Sequence, residues 1–171
     1  MGNTAAELFE RHGLTVFRYM RRMTGSIDSA QDLTQEVFLR VVRGLHTYRV
    51  HGREESWVLR IAHSVLFDHT CRSDGSSVKL VPLDEMPTEP QEGPSQLAAL
   101  GFHEAVGLLP REDREAYLLR ELGGLTYAEL ARVSETTEEA VRSRLYRARR
   151  QIKRVLSGRL VAGELKQREG E

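Results

Sequence analysis

A basic stretch near the end of the chain carries the side chains best suited to binding chemistry. Between Val141 and Leu160 there are eight arginine and lysine residues and no acidic residue: Arg142, Arg144, Arg147, Arg149, Arg150, Lys153, Arg154 and Arg159. Apolar residues recur there at steps of three and four, which places them on one side of a helix and leaves the arginines to the others. Such a helix predicts binding to a polyanion, because guanidinium groups pair with phosphates and with guanine edges. The alternative is an arginine-rich solvated face packed on by a partner helix.

Two capping boxes place this basic helix behind a tight turn. Thr126 and Glu129 have the spacing in which a hydroxyl caps a helix start and a carboxylate reaches back, and Thr136 and Glu139 repeat that spacing. Two helices joined in this way are typical of helix-turn-helix proteins, in which the second helix lies in the major groove of DNA. Tyrosine and threonine interleaved with arginine favour the groove over the solvated face.

The sequence shows no pattern typical of an enzyme or of a cofactor site. His63, His69 and Cys71 do not have the spacing of a zinc site. There is also no glycine-rich phosphate loop, nucleophile elbow or pair of catalytic carboxylates. We therefore expect no catalytic residue, no metal and no cofactor. A single cysteine, the lack of a signal-peptide pattern and the lack of a run of about 18 apolar residues predict a soluble, cytoplasmic protein.

A formal net charge of +0 hides an asymmetry along the chain. From Ser73 to Glu121 there are ten acidic residues against four basic ones, ahead of the basic helix. Four prolines stand among the acids before Ser95: Pro82, Pro87, Pro90 and Pro94. This composition resists helix formation and buries little apolar surface. It predicts a flexible acidic linker over residues 74–95, long enough to let two domains sit far apart.

Three helices are predicted before the linker. Apolar residues at helical spacing run from Ala5 to Thr24 with a possible break at Gly13, so this is one helix or a close pair. A second helix opens at Ser26 or Asp28 and carries a wide apolar stripe: Leu33, Val37, Phe38, Val41, Val42 and Leu45. A third runs from Trp57 to Arg72. Together they predict a first domain over residues 1–73.

The helical pattern returns after the linker. Apolar residues from Leu97 to Leu108 precede Pro110, which suits the first position of a following helix, and Gly123-Gly124 closes that helix. The two capped helices complete a second domain over residues 96–160, before a polar tail at 161–171 that we expect to fray. The predicted fold class is all-α, with two small helical domains joined by a flexible linker.

Four segments, in this order, resemble the extracytoplasmic-function (ECF, group 4) sigma factors of the sigma-70 superfamily. DSAQDLTQEVFLRVVRGLHTYR, from Asp28 to Arg49, is similar to the family's polymerase-binding helix, and SWVLRIAHSVLFDHTCR, from Ser56 to Arg72, to its minus-ten-reading helix. LLPREDREAYLLRELGGLTYAELA and EEAVRSRLYRARRQIKRVL are similar to the second domain. The resemblance covers nearly the whole chain. It implies a region 2 that melts promoters, joined to a helix-turn-helix region 4.

The resemblance implies three sets of binding residues. The clamp helices of the polymerase largest subunit would meet Asp32, Gln35, Glu36, Phe38 and Arg40. The melted strand and the minus-ten element would meet Tyr48, His51, Trp57, Arg60, His63, Ser64 and Arg72. The minus-thirty-five bases would be read by Arg142, Ser143, Tyr146 and Arg147, with phosphates held by Thr126, Tyr127, Thr137, Arg144 and Arg149.

The implied function is binding and not catalysis. The implied partners are core RNA polymerase, through its clamp helices and flap, promoter DNA and an anti-sigma factor of the kind the family commonly uses. A stand-alone dimeric helix-turn-helix regulator remains the alternative. The chain departs from the family at Glu54, at Ser64 and at Ser134-Glu135, where Leu-Gly is common. Glu135 is therefore expected either to accept a positive φ, which suits glycine, or to sit in a turn of another shape.

Overall fold

The computed structural model describes residues 4–48, 53–72 and 95–168. Its elements are α1 (Ala5–Thr24), α2 (Ile27–Gly44), a 3-10 turn (Leu45–Thr47), α3 (Glu54–Arg72), α4 (Ser95–Gly107), α5 (Arg111–Gly123), α6 (Tyr127–Val133) and α7 (Glu138–Arg168). These ranges contain no strand, and the predicted all-α class is confirmed. His51 and the predicted linker before Ser95 lie outside the described residues.

Helices α1 and α2 begin and end as local sequence dictates. Thr4 and Glu7 form a capping box at the start of α1, and Gly25 ends it with a φ of 71°, a left-handed conformation that glycine adopts at little cost. The Ser26 hydroxyl then accepts a hydrogen bond from the Ser29 amide at 3.3 Å and caps α2. Of the predicted alternatives, a single first helix and a start at Ser26 are therefore the ones observed.

The first three helices pack as one unit. Helix α2 lies along α1, and α3 packs on both. Their shared core is fully buried at Val16, Met20, Val37 and Val41, and each such side chain contributes about 1.5–3 kcal/mol relative to exposure. Val42, assigned above to the buried stripe, is instead 57% exposed.

Helices α4 to α7 form the second unit, in which α7 contacts the other three. The predicted apolar side of α7 is buried at Val141, Leu145, Ala148 and Ile152. Leu108, which the pattern placed in the helix before Pro110, follows the last residue of α4 and is 54% exposed.

Arg114 fixes the corner between α4 and α5. Its guanidinium donates to the carbonyl oxygen of Gly107, the last residue of α4, at 2.5 Å and to that of Leu109, in the following loop, at 3.0 Å. Pro110 lies one residue before α5, at its N-cap, and not at the first helical position. The predicted glycine C-cap is confirmed, since Gly124 has a φ of 57° and its amide donates to the Arg120 carbonyl.

The start of α7 differs by one residue from the sequence expectation. The Ala140 amide donates to the Thr137 hydroxyl at 3.2 Å, so Thr137 caps the helix and the predicted box of Thr136 with Glu139 is wrong. The same spacing argument succeeds for α6, where Thr126 and Glu129 form both bonds of a capping box. At its other end α7 runs to Arg168, beyond the predicted limit of the second domain.

The two units are in contact. Helices α1 and α3 of the first unit pack on α5 of the second, and the buried apolar cluster is continuous across them. The sequence predicted bodies tethered at a distance, whereas here they share an interface. The boundaries 1–73, 74–95, 96–160 and 161–171 remain predictions.

Candidate nucleic-acid and polymerase interfaces

The solvent-facing side of α7 presents a continuous basic and aromatic surface, called here the α7 face. The predicted base readers Arg142, Ser143, Tyr146 and Arg147 are all exposed on it, with Tyr146 66% exposed. Arg150 and Lys153 lie beside them and were missed, although their positions in the helical repeat could have revealed them. An open concavity of about 480 Å³ runs between Tyr127 and this row. Its shape and charge suit a nucleic-acid backbone.

Tyr127 links α6 to the α7 face. The guanidinium carbons of Arg120 and Arg142 lie 5.4 and 5.8 Å from the centre of its ring, within the range of cation–π attraction. The capping box at Thr126 fixes the first turn of α6, from which Tyr127 projects. The predicted phosphate contacts Thr126 and Tyr127 therefore lie next to the predicted reader Arg142. Thr137, at the cap of α7, is exposed.

Acidic side chains of α5 hold three arginines of α7. Nε and Nη2 of Arg147 donate to the two carboxylate oxygens of Asp113, at 2.9 and 2.7 Å. Arg144 pairs with Glu112 at 2.8 Å, and Arg149 pairs with Glu121 at 3.3 Å. The Asp113 side chain is 4% exposed beneath an arginine that is 57% exposed, and this hydrogen bond raises the pKa of Arg147 above its ordinary value. Arg147 is thus on the α7 face but already engaged.

The turn between α6 and α7 takes the first of the two shapes considered above. Glu135 has a φ of 47°, in the left-handed region that disfavours residues with a Cβ. The Ser134 amide donates to the Leu130 carbonyl and the Thr136 amide to the Ala131 carbonyl, both at 2.9 Å. These bonds fix the angle between α6 and α7 despite the strain at Glu135.

On the first unit, the aromatic residues predicted for strand opening stack together. The rings of Tyr48 and Trp57 lie 4.8 Å apart and are tilted by 39°, at the junction of the 3-10 turn with α3. Arg60 lies one helical turn further, half-buried, and Ser64 is exposed. His51 is outside the described residues, and of Arg72 only the backbone is described. Trp57 also lies against Gly44 at the end of α2.

Glu54, one of the family departures, has a structural role. Its carboxylate pairs with Arg11 of α1 and lies 3.7 Å from Nε2 of His12. The side chain is 17% exposed, so it lies between α1 and the first turn of α3. It therefore joins those two helices and is not turned outward toward a base.

The outer face of α2 only partly matches the predicted polymerase contact. Asp32 and Gln35 are exposed, whereas Phe38 is 7% exposed and packs edge-on against Phe9 with ring centres 4.8 Å apart. Phe38 can support a contact surface from beneath but offers little area itself.

The rest of this α2 face combines ion pairs with apolar side chains. Arg40 bridges Glu36 at 2.9 Å and Asp68 of α3 at 2.8 Å, and these hydrogen bonds raise the pKa of Arg40. Leu39 and Val42 are 53% and 57% exposed and were missed. Their exposure could have been predicted, because both lie outside the row of Leu33, Val37 and Val41 that faces the core.

His63 differs from the other predicted minus-ten residues because it faces the second unit. Its Nε2 lies 3.3 Å from a carboxylate oxygen of Glu115 on α5, and its side chain is 12% exposed. The Tyr19 hydroxyl donates to the same oxygen at 3.3 Å. Burial and then the Glu115 charge raise the pKa of Tyr19 well above its ordinary value. The predicted minus-ten set is therefore divided between solvent and the contact between units.

Further polar contacts join the two units. The Ser56 hydroxyl donates to the Gly123 carbonyl at 2.9 Å, and Arg53 pairs with Glu129 at 2.5 Å. Burial raises the pKa of Glu129, but the bonds from Thr126 and the Arg53 charge lower it below its ordinary value overall.

The described residues show no cluster of three histidine, cysteine, aspartate or glutamate side chains arranged to hold a metal ion. Across the same ranges, no helix has the length and apolar character needed to cross a membrane.

Two family models match the chain. Sigma-70 region 2 matches residues 8–74, and Sigma-70, region 4 matches residues 100–152. The chain is 32% identical over 155 residues to the ECF RNA polymerase sigma factor BldN of Streptomyces coelicolor, with 87% of this chain and 59% of the relative covered. It is 32% identical over 143 residues to the ECF RNA polymerase sigma factor SigC of Mycobacterium tuberculosis, with 78% of this chain and 73% of the relative covered. The chain thus spans less than two thirds of the length of BldN.

A solved structure shares the fold. The sigma factor RpoE from Bartonella quintana, crystallised with the anti-sigma factor NepR, superposes with a TM-score of 0.70 at 17% identity. The match covers 89% of this chain and 96% of that one.

Proposed function

The chain belongs to the ECF sigma factors of the sigma-70 family, and we propose that it directs core RNA polymerase to specific promoters. In this function the second unit binds the minus-thirty-five duplex, and the first unit captures bases of the melted minus-ten strand. The observation that carries the proposal is the α7 face, an exposed basic and aromatic helix surface held behind a capped turn. Because family models match both units, a stand-alone regulator is the less favoured function.

Promoter melting in this proposal is driven by binding and not by catalysis. Bases that leave the duplex can stack on aromatic side chains, and each stack contributes about 1–3 kcal/mol. The Tyr48–Trp57 pair supports this role, since it lies at the start of α3 with Arg60 and Ser64 beyond it. His51 and Arg72 complete the proposed set. Capture of the open strand shifts the equilibrium because the first unit binds that state more tightly than closed duplex.

The outer face of α2 is the proposed contact with the clamp helices of the largest polymerase subunit. Asp32, Gln35 and Glu36 supply polar groups there. Leu39 and Val42 add exposed apolar area of the kind found at the core of protein interfaces. In this arrangement Phe38 and Arg40 support the surface, the first from the core and the second by joining α2 to α3.

The remaining partners follow from this function. Because its proposed partners are promoter DNA and core polymerase, we expect the protein to act in the cytoplasm. Region 4 would also contact the polymerase flap. Because RpoE from Bartonella quintana forms a complex with an anti-sigma factor, we propose a regulator of that class for this chain. No metal, cofactor or catalytic residue is required.

Run-off transcription with core polymerase on a library of random promoters tests the function. We expect promoter-specific transcripts that need both the protein and the core enzyme, and weak gel-shift binding by the protein alone. Tight, specific binding to a palindromic site without polymerase would indicate the stand-alone regulator instead.

Arg150 provides a site-directed version of this test. Arg150→Ala should weaken transcription from selected promoters by about tenfold, which corresponds to about 1.4 kcal/mol of lost contact. Arg132→Ala removes the same charge from an exposed position on α6 and serves as the control. Equal losses from the two variants would mean that general charge, and not the α7 face, supports promoter binding.

A further inference from the structure

Arg147 of the α7 face is bound from beneath by a carboxylate of α5. Nε of Arg147 donates to Oδ2 of Asp113 at 2.9 Å, and Nη2 donates to Oδ1 at 2.7 Å. The guanidinium and the carboxylate therefore meet edge to edge, in the bidentate geometry that gives an ion pair a direction. The Asp113 side chain is 4% exposed and that of Arg147 is 57% exposed. Arg147 thus projects into solvent from a buried anchor.

Asp113 is a firmer anchor than the neighbouring carboxylates of α5. It lies in the first turn of that helix, where the helix dipole favours a negative charge. Glu112, the partner of Arg144, has a side chain that is 68% exposed, and Glu121, the partner of Arg149, has one that is 46% exposed. Exposed pairs of this kind contribute little and leave both side chains free to rotate. Of these three carboxylates, Asp113 is the one that can fix the direction of its arginine.

The bonds to Asp113 decide which donors of Arg147 remain for a ligand. A guanidinium carries five N–H donors in one plane, and this pair uses the donor on Nε and one of the two on Nη2. The other Nη2 donor and a donor on Nη1 lie side by side at the outer end of the side chain, called here the outer fork. The outer fork can donate two parallel hydrogen bonds. It cannot turn without breaking the bonds to Asp113.

Among the bases, guanine is the one that matches the outer fork. In the major groove guanine presents two acceptors, N7 and O6, whereas adenine presents one acceptor beside a donor and cytosine presents a donor. Thymine presents one acceptor beside a methyl group. Because a guanidinium has donors only, both donors of the fork are satisfied on guanine alone. An arginine without an anchor can instead turn to a phosphate, and a phosphate contact carries no sequence information.

We propose that Asp113 is a positioning residue that makes Arg147 specific for a guanine of the minus-thirty-five element. The proposal rests on the promoter function above and gives α5 a part in base selection. The Asp113 carboxylate directs the outer fork, and its charge offsets that of Arg147. The pair therefore contributes specificity but little net attraction for phosphate. Both residues belong to the second unit, so the position of the first unit does not enter.

Selection of duplexes from a random DNA library by the full-length protein at low salt, followed by sequencing, tests the proposal. The unaltered protein should prefer guanine at one position by about tenfold, which is within the range of an arginine–guanine pair, and Arg147→Ala should abolish this preference. Asp113→Asn should reduce the preference to about twofold and bind duplexes without that guanine about threefold more tightly, because Arg147 is then free to meet phosphate. A loss of folding would lower binding to every duplex instead.

Glu112→Gln is the matched control, because it makes the same charge change at the adjacent residue of α5. It should leave the preference for guanine unchanged and alter binding to all duplexes by one common factor. Asp113→Asn combined with Arg147→Ala should show the base preferences of Arg147→Ala alone, since Asp113 acts through Arg147. Asp113→Glu keeps the charge but moves the carboxylate by one methylene. It should lower the preference without tightening binding to other duplexes, and it provides a second variant if Asp113→Asn folds poorly.

The outcomes separate this proposal from the promoter function. A guanine preference that survives in Asp113→Asn overturns the role of Asp113, and so does an equal loss of binding to all duplexes. The lack of any guanine preference that depends on Arg147 also overturns it. Run-off transcription with core polymerase tests the promoter function separately. If the selection responds as expected but no promoter-specific transcript forms, Asp113 keeps its positioning role on duplex DNA and the promoter function fails.

Discussion

The two helical units present their proposed DNA surfaces in different states. On the second unit the α7 face is open to solvent, and Arg147 is already oriented by Asp113 before any ligand arrives. On the first unit His63 is turned toward α5, and the start of α3 lies against the second unit. The α7 face is oriented by contacts within the second unit, whereas the exposure of the α3 residues depends on the position of the second unit. A set of predicted DNA-binding residues can therefore be recognisable in the sequence and yet be partly covered in the folded chain.

The largest predicted effect tests whether the two units are energetically separate. Leu145 is 1% exposed in the second unit, so Leu145→Ala should lower the free energy of unfolding by about 2–5 kcal/mol. Trp57 is the single tryptophan of the chain and reports on the first unit alone. We expect the circular-dichroism midpoint in guanidinium to fall by more than the tryptophan-fluorescence midpoint. Equal shifts in both signals would show that the units unfold as one body.

A smaller effect concerns the internal ion pairs of the second unit. Asp113→Asn removes a buried carboxylate from a two-pronged bond with Arg147, and we expect a loss of about 1–3 kcal/mol of stability. Glu112→Gln alters a pair whose carboxylate is 68% exposed, and its loss should stay within about 0.5 kcal/mol. Urea denaturation of both variants checks the difference. Similar losses would mean that Asp113 does not orient the α7 face.

The smallest predicted effect lies in the turn that sets the angle of α7. Glu135 has a φ of 47°, so Glu135→Gly should raise the free energy of unfolding by about 0.5–1 kcal/mol through relief of strain. Ser134 has a φ of −92°, and Ser134→Gly should therefore destabilise the protein or leave it unchanged. In thermal melts, only Glu135→Gly should raise the melting temperature. A fall for Glu135→Gly would indicate that its side chain contributes more than its backbone costs.

The family and the helices could be predicted because their signals are local. The capping box at Thr126, the glycine C-cap at Gly124 and the apolar repeat of α7 each depend on residues within a few turns of one another. One of the errors is also local in origin. Thr136 and Thr137 are adjacent hydroxyls with equal capping chemistry, and backbone geometry selected the second.

The sequence could assign site residues to groups, but it could not predict which members of each group are exposed. Phe38 is a case in which sequence placed a residue on a binding surface, but packing against Phe9 buried it. Val42 shows the reverse, since the apolar stripe suggested burial and the register of α2 left this side chain exposed. Such outcomes depend on how neighbouring helices pack, and this information is not contained in the periodicity of a single helix.

The all-α class, the helix ends at Thr126 and Gly124 and the basic character of α7 follow from the amino-acid sequence alone, because they depend on short-range capping and periodicity. Tertiary structure alone decided that Glu115 meets His63 and Tyr19, residues far away in sequence. It also decided that acids of α5 pair with the arginines of α7. The reason is physical: the sequence shows which charged groups could pair, whereas the packing of the helices decides which of them come within bonding distance.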